Sequence, residues 1–173
     1  MTNRNLLPLL FVGIIIGLVV PTIVLVKSIK FNQNCGGYIK QAADANSVEL
    51  SLSRLETAIN YAEINNLTSG YTSVLWKTED ENIGFWYKNL VACRDELKLV
   101  VEKEDATQLE KSNILMKVRE SLMDNHGDKG DEITIPDGIS RYPHNALFGV
   151  LRILSFLILF FCGLGIMAII NEW

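Results

Sequence analysis

Two long apolar runs near the ends of the chain constrain its fold more than any other feature of the sequence. No residue in 6–26 is charged, and at a helical rise of about 1.5 Å per residue this run covers the roughly 30 Å hydrocarbon core of a bilayer. The run 153–170 is similarly apolar, and the rest of the chain is too short to bury both runs in a soluble core. We therefore predict a first transmembrane helix over 6–26. The segment 146–170 is predicted to hold an interfacial turn followed by a second transmembrane helix.

The alternative for the first run is a cleaved signal peptide. Its length exceeds the apolar region of about 7–15 residues that such peptides carry, and no A-x-A cleavage site follows it. We expect the run to be retained as an anchor, with short tails at 1–5 and 171–173 outside the two spans.

The composition excludes several classes of protein. The 173 residues are 49% hydrophobic, which is too apolar for a disordered chain, and the net charge of −4 lacks the basic excess of nucleic-acid-binding proteins. Three cysteines are too few for a disulfide scaffold, and no CxxC or HxxxH spacing occurs. We expect no nucleic-acid partner, no metal and no cofactor.

The middle segment, 27–145, has the periodicity of amphipathic helices, so the predicted fold class is all-α, a small antiparallel bundle of three helices bracketed by the two spans. Gly36-Gly37 predicts a break after the first span, and Thr78-x-x-Glu81 and Thr107-x-x-Glu110 read as capping boxes. The helices are predicted at about 38–65, 80–101 and 107–124. On this arrangement the first leads away from the membrane, the second returns and the third leads away again.

The residues 125–145 must then bring the chain back to the second span. Extended at about 3.3 Å per residue, they reach some 60 Å, ample for a helix near 30 Å long. Ile133 and Ile135 alternate with Thr134, as in an extended segment with one buried face. We predict an extended strap along the bundle with these isoleucines buried.

Two glycines in the first span favour close packing against another helix. Gly13-x-x-x-Gly17 permits close helix approach, although such spacings arise often by chance, so these glycines face either the second span or another molecule.

Basic and aromatic residues at the ends of spans favour the membrane interface. The predicted interfacial anchors are Lys27, Lys30, Arg152 and Trp173.

The distribution of basic residues near the spans predicts the orientation. Those on the loop side are Lys27, Lys30, Lys40, Arg141 and Arg152, against Arg4 on the tail side. The positive-inside rule then places the middle segment in the cytoplasm. The alternative is an exported, periplasmic or extracellular segment, because long loops cross membranes largely regardless of charge and 27–145 carries 14 basic and 19 acidic residues.

Candidate chemistry in the middle segment is sparse. Cys35 and Cys93 could pair if exported, but Cys93 falls on the apolar stripe of its helix, where a thiol packs as a small hydrophobe. No pattern brings His126 and His144 together, and the acidic loop 124–132 departs from the calcium-loop pattern at several ligand positions. Without a recognisable catalytic constellation, we do not expect an enzyme.

The aromatic residues around the second helix are the candidate for recognition. Trp86 falls on the apolar stripe of this helix, whereas Phe85 and Tyr87 lie on other faces. The predicted stripe consists of Ile83, Trp86, Leu90, Cys93, Leu97 and Val100. Either the loop 67–77 covers the helix, or part of this surface meets a partner. The candidate partner surface is Tyr71, Trp76, Phe85 and Tyr87.

These features lead to one functional hypothesis and one rival. The chain is expected to be a non-catalytic membrane protein, an accessory or scaffold subunit that meets the lipid bilayer and either another membrane protein or a second copy of itself. The rival is an extracytoplasmic ligand-sensing bundle that signals through a partner; its layout is similar to the sensory part of bacterial chemoreceptors.

Overall fold

The structure, a computed structural model, describes residues 3–125 and 131–171, and most of these residues are helical, in agreement with the all-α class. The helices are α1 (Asn3–Phe31), continued by a π-helical segment (Asn32–Gly36), α2 (Gly37–Ala43), α3 (Val48–Ile64), α4 (Ile83–Glu102), α5 (Gln108–Leu122) and α6 (Asn145–Asn171). Two compact units result. One holds most of α1 together with α6, and the other, called here the helical domain, comprises Ile29–Tyr142.

Among the described residues, two helices are long and apolar enough to cross a bilayer. The candidate spans are Leu7–Ala43, which includes the helical continuation of α1, and Asn145–Ile170. In the most apolar 18-residue stretch of each helix, only 6% of the first and 11% of the second is buried inside the protein. Their side chains are therefore free to meet another apolar medium, unlike those of a core helix.

Small residues bring α1 and α6 close together. A β-carbon on Gly13 would lie 2.6 Å from Cys162 Sγ, and one on Gly17 would lie 2.7 Å from Leu159 Cδ2. The buried Ser155 hydroxyl donates a hydrogen bond to the Gly17 carbonyl. Both glycines of the predicted packing motif thus face α6.

The helix break after α1 differs from the prediction. The backbone stays helical through Gly36 and Gly37, where a β-carbon would come within 2.9 Å of Asn32 atoms, so these glycines permit a close approach instead of ending the helix. The predicted helix 38–65 is instead interrupted at 44–47, and α3 begins after Ser47, whose hydroxyl accepts from the Leu50 N–H at 3.2 Å.

This interruption folds α3 back antiparallel along the helix before it. Ser51 Oγ donates to the Ala42 carbonyl at 2.8 Å, and Cys35 Sγ donates to the Ala58 carbonyl at 3.7 Å. Further along, α3 therefore returns to the end of the domain at which the chain enters, called here the proximal end. The helices that follow run in the opposite sense to the predicted one.

The start of α4 also differs from the prediction of a helix over 80–101. Thr78 Oγ1 does bond to Glu81 Oε2, at 2.8 Å, but this contact closes a 3₁₀ turn at Glu79–Glu81. The N-cap of α4 is Asn82, whose side chain accepts from the Phe85 N–H at 3.1 Å. The predicted apolar stripe is buried in the core at Ile83, Trp86, Leu90, Cys93 and Leu97.

The next helix, α5, begins as predicted. Thr107 Oγ1 accepts from the Glu110 N–H at 3.2 Å, and Glu110 Oε2 accepts from the Thr107 N–H at 2.8 Å, a complete capping box. Lys103 Nζ also lies 2.6 Å from Glu110 Oε1. The helix ends at Leu122, two residues before the predicted boundary.

These contacts predict a specific acid sensitivity. The Lys103 ammonium, followed by the Thr107 backbone N–H, lowers the pKa of Glu110 from 4.5 to about 2. Between pH 4.5 and 2 the unfolded chain binds a proton at this position that the folded chain does not, so stability falls as the pH is lowered through this range. We expect the wild type to have a higher thermal midpoint of unfolding than Glu110→Gln at pH 5, and we expect this difference in midpoint to shrink as the pH is lowered to 2. A difference that is constant with pH would contradict this account.

The return segment is more structured than an extended strap over 125–145. Strands β1 (Met123–Asn125) and β2 (Asp131–Ile133) pair antiparallel, and a 3₁₀ turn follows at Ile139–Arg141. The sequence predicts that Ile133 and Ile135 are buried; in the structure they pack against the core but are only half-buried. The chain then leaves the domain at Tyr142, which packs against Gly70 in the loop after α3.

Candidate functional site

The four aromatic residues of the predicted partner surface do not share one environment. Trp76 and Phe85 are 77% and 60% exposed, whereas Tyr71 and Tyr87 are half-buried. The structure therefore leaves two of the four rings available to a partner.

Tyr71 and Tyr87 are held by contacts within the domain. Lys77 Nζ lies 5.2 Å from the centre of the Tyr71 ring, and Asn82 Nδ2 donates to Tyr71 Oη at 3.3 Å. Tyr87 Oη donates to Glu63 Oε1 at 2.6 Å, a bond that raises the pKa of this tyrosine. These contacts join the loop to α4 and α4 to α3.

The outer side of α4 carries an exposed apolar stripe, defined here as Phe85, Ala92 and Leu99. Side chains seven residues apart on an α-helix differ by only about 20° in direction about the helix axis, so these three share one face. Leu99 is 69% exposed, and Ala92 is also exposed. The stripe extends about 21 Å along the helix, on the side opposite the buried residues.

A second apolar feature lies in the loop between α3 and α4. Three consecutive residues, Val74, Leu75 and Trp76, are 56%, 79% and 77% exposed. An antiparallel bridge between Tyr71 and Asn82 closes the loop beneath them. We call these three residues the apolar tip.

A cleft of about 300 Å³ opens between α4 and α5. Its floor includes the side chains of Val100 and Ile114. On its rim Lys117 Nζ lies 2.6 Å from Glu96 Oε1, and the Lys103–Glu110 pair closes the other side. The charged groups that line the cleft are thus paired with each other.

The residues considered for catalysis or metal binding lie apart. Cys35 and Cys93 are free and buried, and burial raises the pKa of the Cys93 thiol, which makes the thiolate scarce at neutral pH. His144 is exposed just before α6, and His126, with the rest of 126–130, lies outside the described residues. Among residues 3–125 and 131–171, no group of three metal-binding side chains occurs.

The predicted interfacial anchors are exposed where the structure describes them. Lys27 Nζ lies 5.5 Å from the centre of the Phe148 ring on α6. Lys30 and Arg152 are exposed, while Trp173 lies outside the described residues. The three basic residues can therefore extend their charged ends into water or lipid headgroups.

Sequence reasoning missed two features of these surfaces. Helical periodicity does not reveal the exposed stripe on α4, because Leu99 lies next to Val100, which belongs to the buried side. Periodicity does not reveal Val74 and Leu75 either, because neither a helical nor a strand pattern extends into their loop. In the second case three apolar residues in a row between turn residues were the available signal.

No family model, curated protein or solved structure matches this chain.

Proposed function

We propose that the chain is a non-catalytic integral membrane protein with two spans, α1 and α6, and that it serves as an accessory or scaffold subunit of a membrane complex. The apolar, largely exposed surfaces of these two helices support insertion into a bilayer. Their close packing through Gly13 and Gly17 supports a helical hairpin within it. The helical domain then presents its surface to partners beside the membrane.

The observation that carries the interaction role is the stripe on α4. Its inner side fills the core, so Phe85, Ala92 and Leu99 are not needed for folding and remain exposed. Apolar residues seven apart on an exposed helix form the surface that a partner helix packs against. Lys88 and Asp95, exposed along the same face, add charges that can select the partner. We propose that the partner is another membrane protein or a second copy of this chain.

The ligand-sensing alternative would place its ligand in the cleft between α4 and α5. The lysines and glutamates around this cleft already form ion pairs with each other. A ligand would have to break these pairs to gain polar contacts, at a cost of lost electrostatic attraction. This consideration favours the interaction protein over the sensor.

Photocrosslinking from matched positions tests the docking surface. A benzophenone amino acid is placed at Leu99 or at Leu109, which is equally exposed at 69% but lies on α5. After irradiation of intact cells, we expect a discrete protein adduct from position 99 and none of the same mass from position 109. The mass of the adduct distinguishes a second copy of the chain from a different protein.

A substitution within the stripe completes this test. Ala92→Glu introduces a charge on the exposed stripe without changing the core, so the adduct from position 99 should decrease at least tenfold. Equal adducts from positions 99 and 109, or an adduct insensitive to Ala92→Glu, would contradict docking on this face.

We further propose that the helical domain faces the cytoplasm, on the basis of the basic residues beside the spans. Lys27, Lys30 and Arg152 are all exposed, as residues at a headgroup layer should be. The three native cysteines are buried, so an introduced cysteine at the exposed Glu79 can report on this orientation.

A further inference from the structure

The exposed stripe on α4 is symmetric in size about its central residue. Phe85 lies seven residues before Ala92 and Leu99 lies seven residues after it, so each large side chain is about 10.5 Å along the helix from the small one. We propose that the stripe binds the same stripe of a second copy of this chain, with the two α4 helices antiparallel and Ala92 at the two-fold axis. This inference rests on the proposed docking role of the stripe.

The apolar residues match in this arrangement. A two-fold rotation reverses the direction of α4, so Phe85 of one copy lies opposite Leu99 of the other, and the same pair forms again on the other side of the axis. Phe85 is 60% exposed and Leu99 is 69% exposed, so both pairs remove apolar surface from water. Between them the two Ala92 side chains meet at the axis, where their small size lets the helix backbones approach.

The polar residues beside the stripe are complementary in the same arrangement. At about 100° per residue, Lys88 and Asp95 lie on one flank of the stripe, about 40–60° from the direction of Ala92. A two-fold axis perpendicular to both helices keeps this flank on its own side of the pair. Lys88 of one copy is therefore level with Asp95 of the other to within about 1.5 Å along the helix, and opposite charges meet twice.

Parallel pairing would instead join opposite flanks and bring like charges together. Asp95 would then be level with Glu96 of the second copy, whereas in the antiparallel pair Glu96 meets the neutral Asn89, whose amide donates to carboxylates. Asp95 accepts a bond from Arg94 at 2.7 Å, yet its side chain is 57% exposed. It is thus still accessible to the exposed Lys88 of a second copy.

Disulfide crosslinking between two cysteine variants tests the proposal. Full-length Phe85→Cys and Leu99→Cys proteins are purified in detergent and oxidised, either alone or as an equal mixture. Both positions are exposed, so the core is unchanged, and the native cysteines are buried. Leu109→Cys, at a position that is equally 69% exposed but lies on α5, replaces Leu99→Cys in a control mixture. Chains in detergent meet in any relative orientation, so the bilayer does not constrain the result.

We expect at least tenfold more disulfide-linked dimer in the mixture of Phe85→Cys and Leu99→Cys than in either protein alone. The antiparallel pair places position 85 opposite position 99 but separates the two copies of position 85 by about 21 Å, too far for a disulfide. The control mixture should give no more dimer than its separate components. As much dimer from each protein alone as from the mixture would indicate parallel or non-specific contact and overturn the inference.

A charge exchange within the same cysteine proteins tests the register. Lys88→Glu places a carboxylate against Asp95 of the second copy, so the dimer yield of the mixture should fall at least threefold. Adding Asp95→Lys restores opposite charges across the pair, and the yield should recover. A yield that is insensitive to Lys88→Glu, or that does not recover in the double variant, would contradict the antiparallel pairing.

Photocrosslinking from position 99 in cells separates this inference from the proposed function. If position 99 forms an adduct with a different protein while the cysteine mixture forms no dimer, the stripe docks on that protein, and the inference fails while the proposed function stands. If neither experiment gives a product, both fail.

Discussion

Leu97→Ala is expected to lower the free energy of unfolding of the helical domain by about 2–5 kcal/mol. Leu97 is fully buried in the core, so the shorter side chain leaves a cavity that the neighbouring helices fill only in part. For a domain of this size, the loss corresponds to a decrease of roughly 10 °C or more in the thermal midpoint. Circular dichroism of the full-length protein in detergent measures this change.

Leu99→Ala is the matched control for that substitution. Leu99 is on the same helix, two residues away, and 69% exposed, so the change in helix propensity is the same while no cavity forms. We expect a change within about 0.5 kcal/mol. Equal losses from Leu97→Ala and Leu99→Ala would show that the assigned inner and outer sides of α4 are wrong. The same Leu99→Ala protein should nevertheless lose its partner, since Leu99 belongs to the proposed docking stripe.

Gly17→Leu is expected to weaken the pairing of α1 and α6 by about 1–3 kcal/mol, the usual cost of overpacking. The first atom of the new side chain would lie 2.7 Å from both Cγ and Cδ2 of Leu159, and the Ser155 carbonyl is 3.5 Å away. The two helices must separate to admit it, which also strains the hydrogen bond from Ser155 to Gly17. Steric trapping in bicelles, with tags flanking the two helices, measures their separation.

Gly163→Leu controls for the greater apolarity and helix propensity of leucine. Nothing lies within 4 Å of a β-carbon at Gly163, although it is on the same apolar pair of helices. We expect this variant to pair as strongly as wild type, within about 0.5 kcal/mol. Equal effects of the two substitutions would mean that Gly17 does not lie at the contact between α1 and α6.

The inner sides of the helices could be predicted from the sequence because burial follows helical periodicity. Ile83, Trp86, Leu90, Cys93 and Leu97 recur every three or four residues, and the structure buries all of them. The capping box of α5 was equally predictable, since Thr107 and Glu110 satisfy each other's backbone groups locally.

The direction of the helices could not be predicted in the same way. Gly36-Gly37 looks like a break, yet both glycines are helical because they admit a close approach of Asn32. The turn at 44–47 depends on the cap supplied by Ser47, a signal no stronger than many others in the chain. One misplaced turn reverses the following helices, and it moves the loop with Trp76 from the far end to the proximal end.

The candidate surfaces were predicted in part for a related reason. Periodicity identifies which side of a helix is buried, but an exposed residue such as Leu99 contributes nothing to that signal. Trp76 stood out by its residue type, whereas Val74 and Leu75 needed the structure to show that nothing in the domain covers them among the described residues.

Single-cysteine labelling across the membrane tests the central claim most directly. Cysteines are introduced at Asn3, Glu79 and Asn171, one at a time, with the buried native cysteines replaced, and intact cells are treated with a membrane-impermeant maleimide. Two spans with a cytoplasmic domain predict labelling at positions 3 and 171, and labelling at position 79 only after the membrane is permeabilised. Labelling of position 79 alone in intact cells would reverse the orientation, and labelling of positions 3 and 79 from the same side would contradict the two-span account.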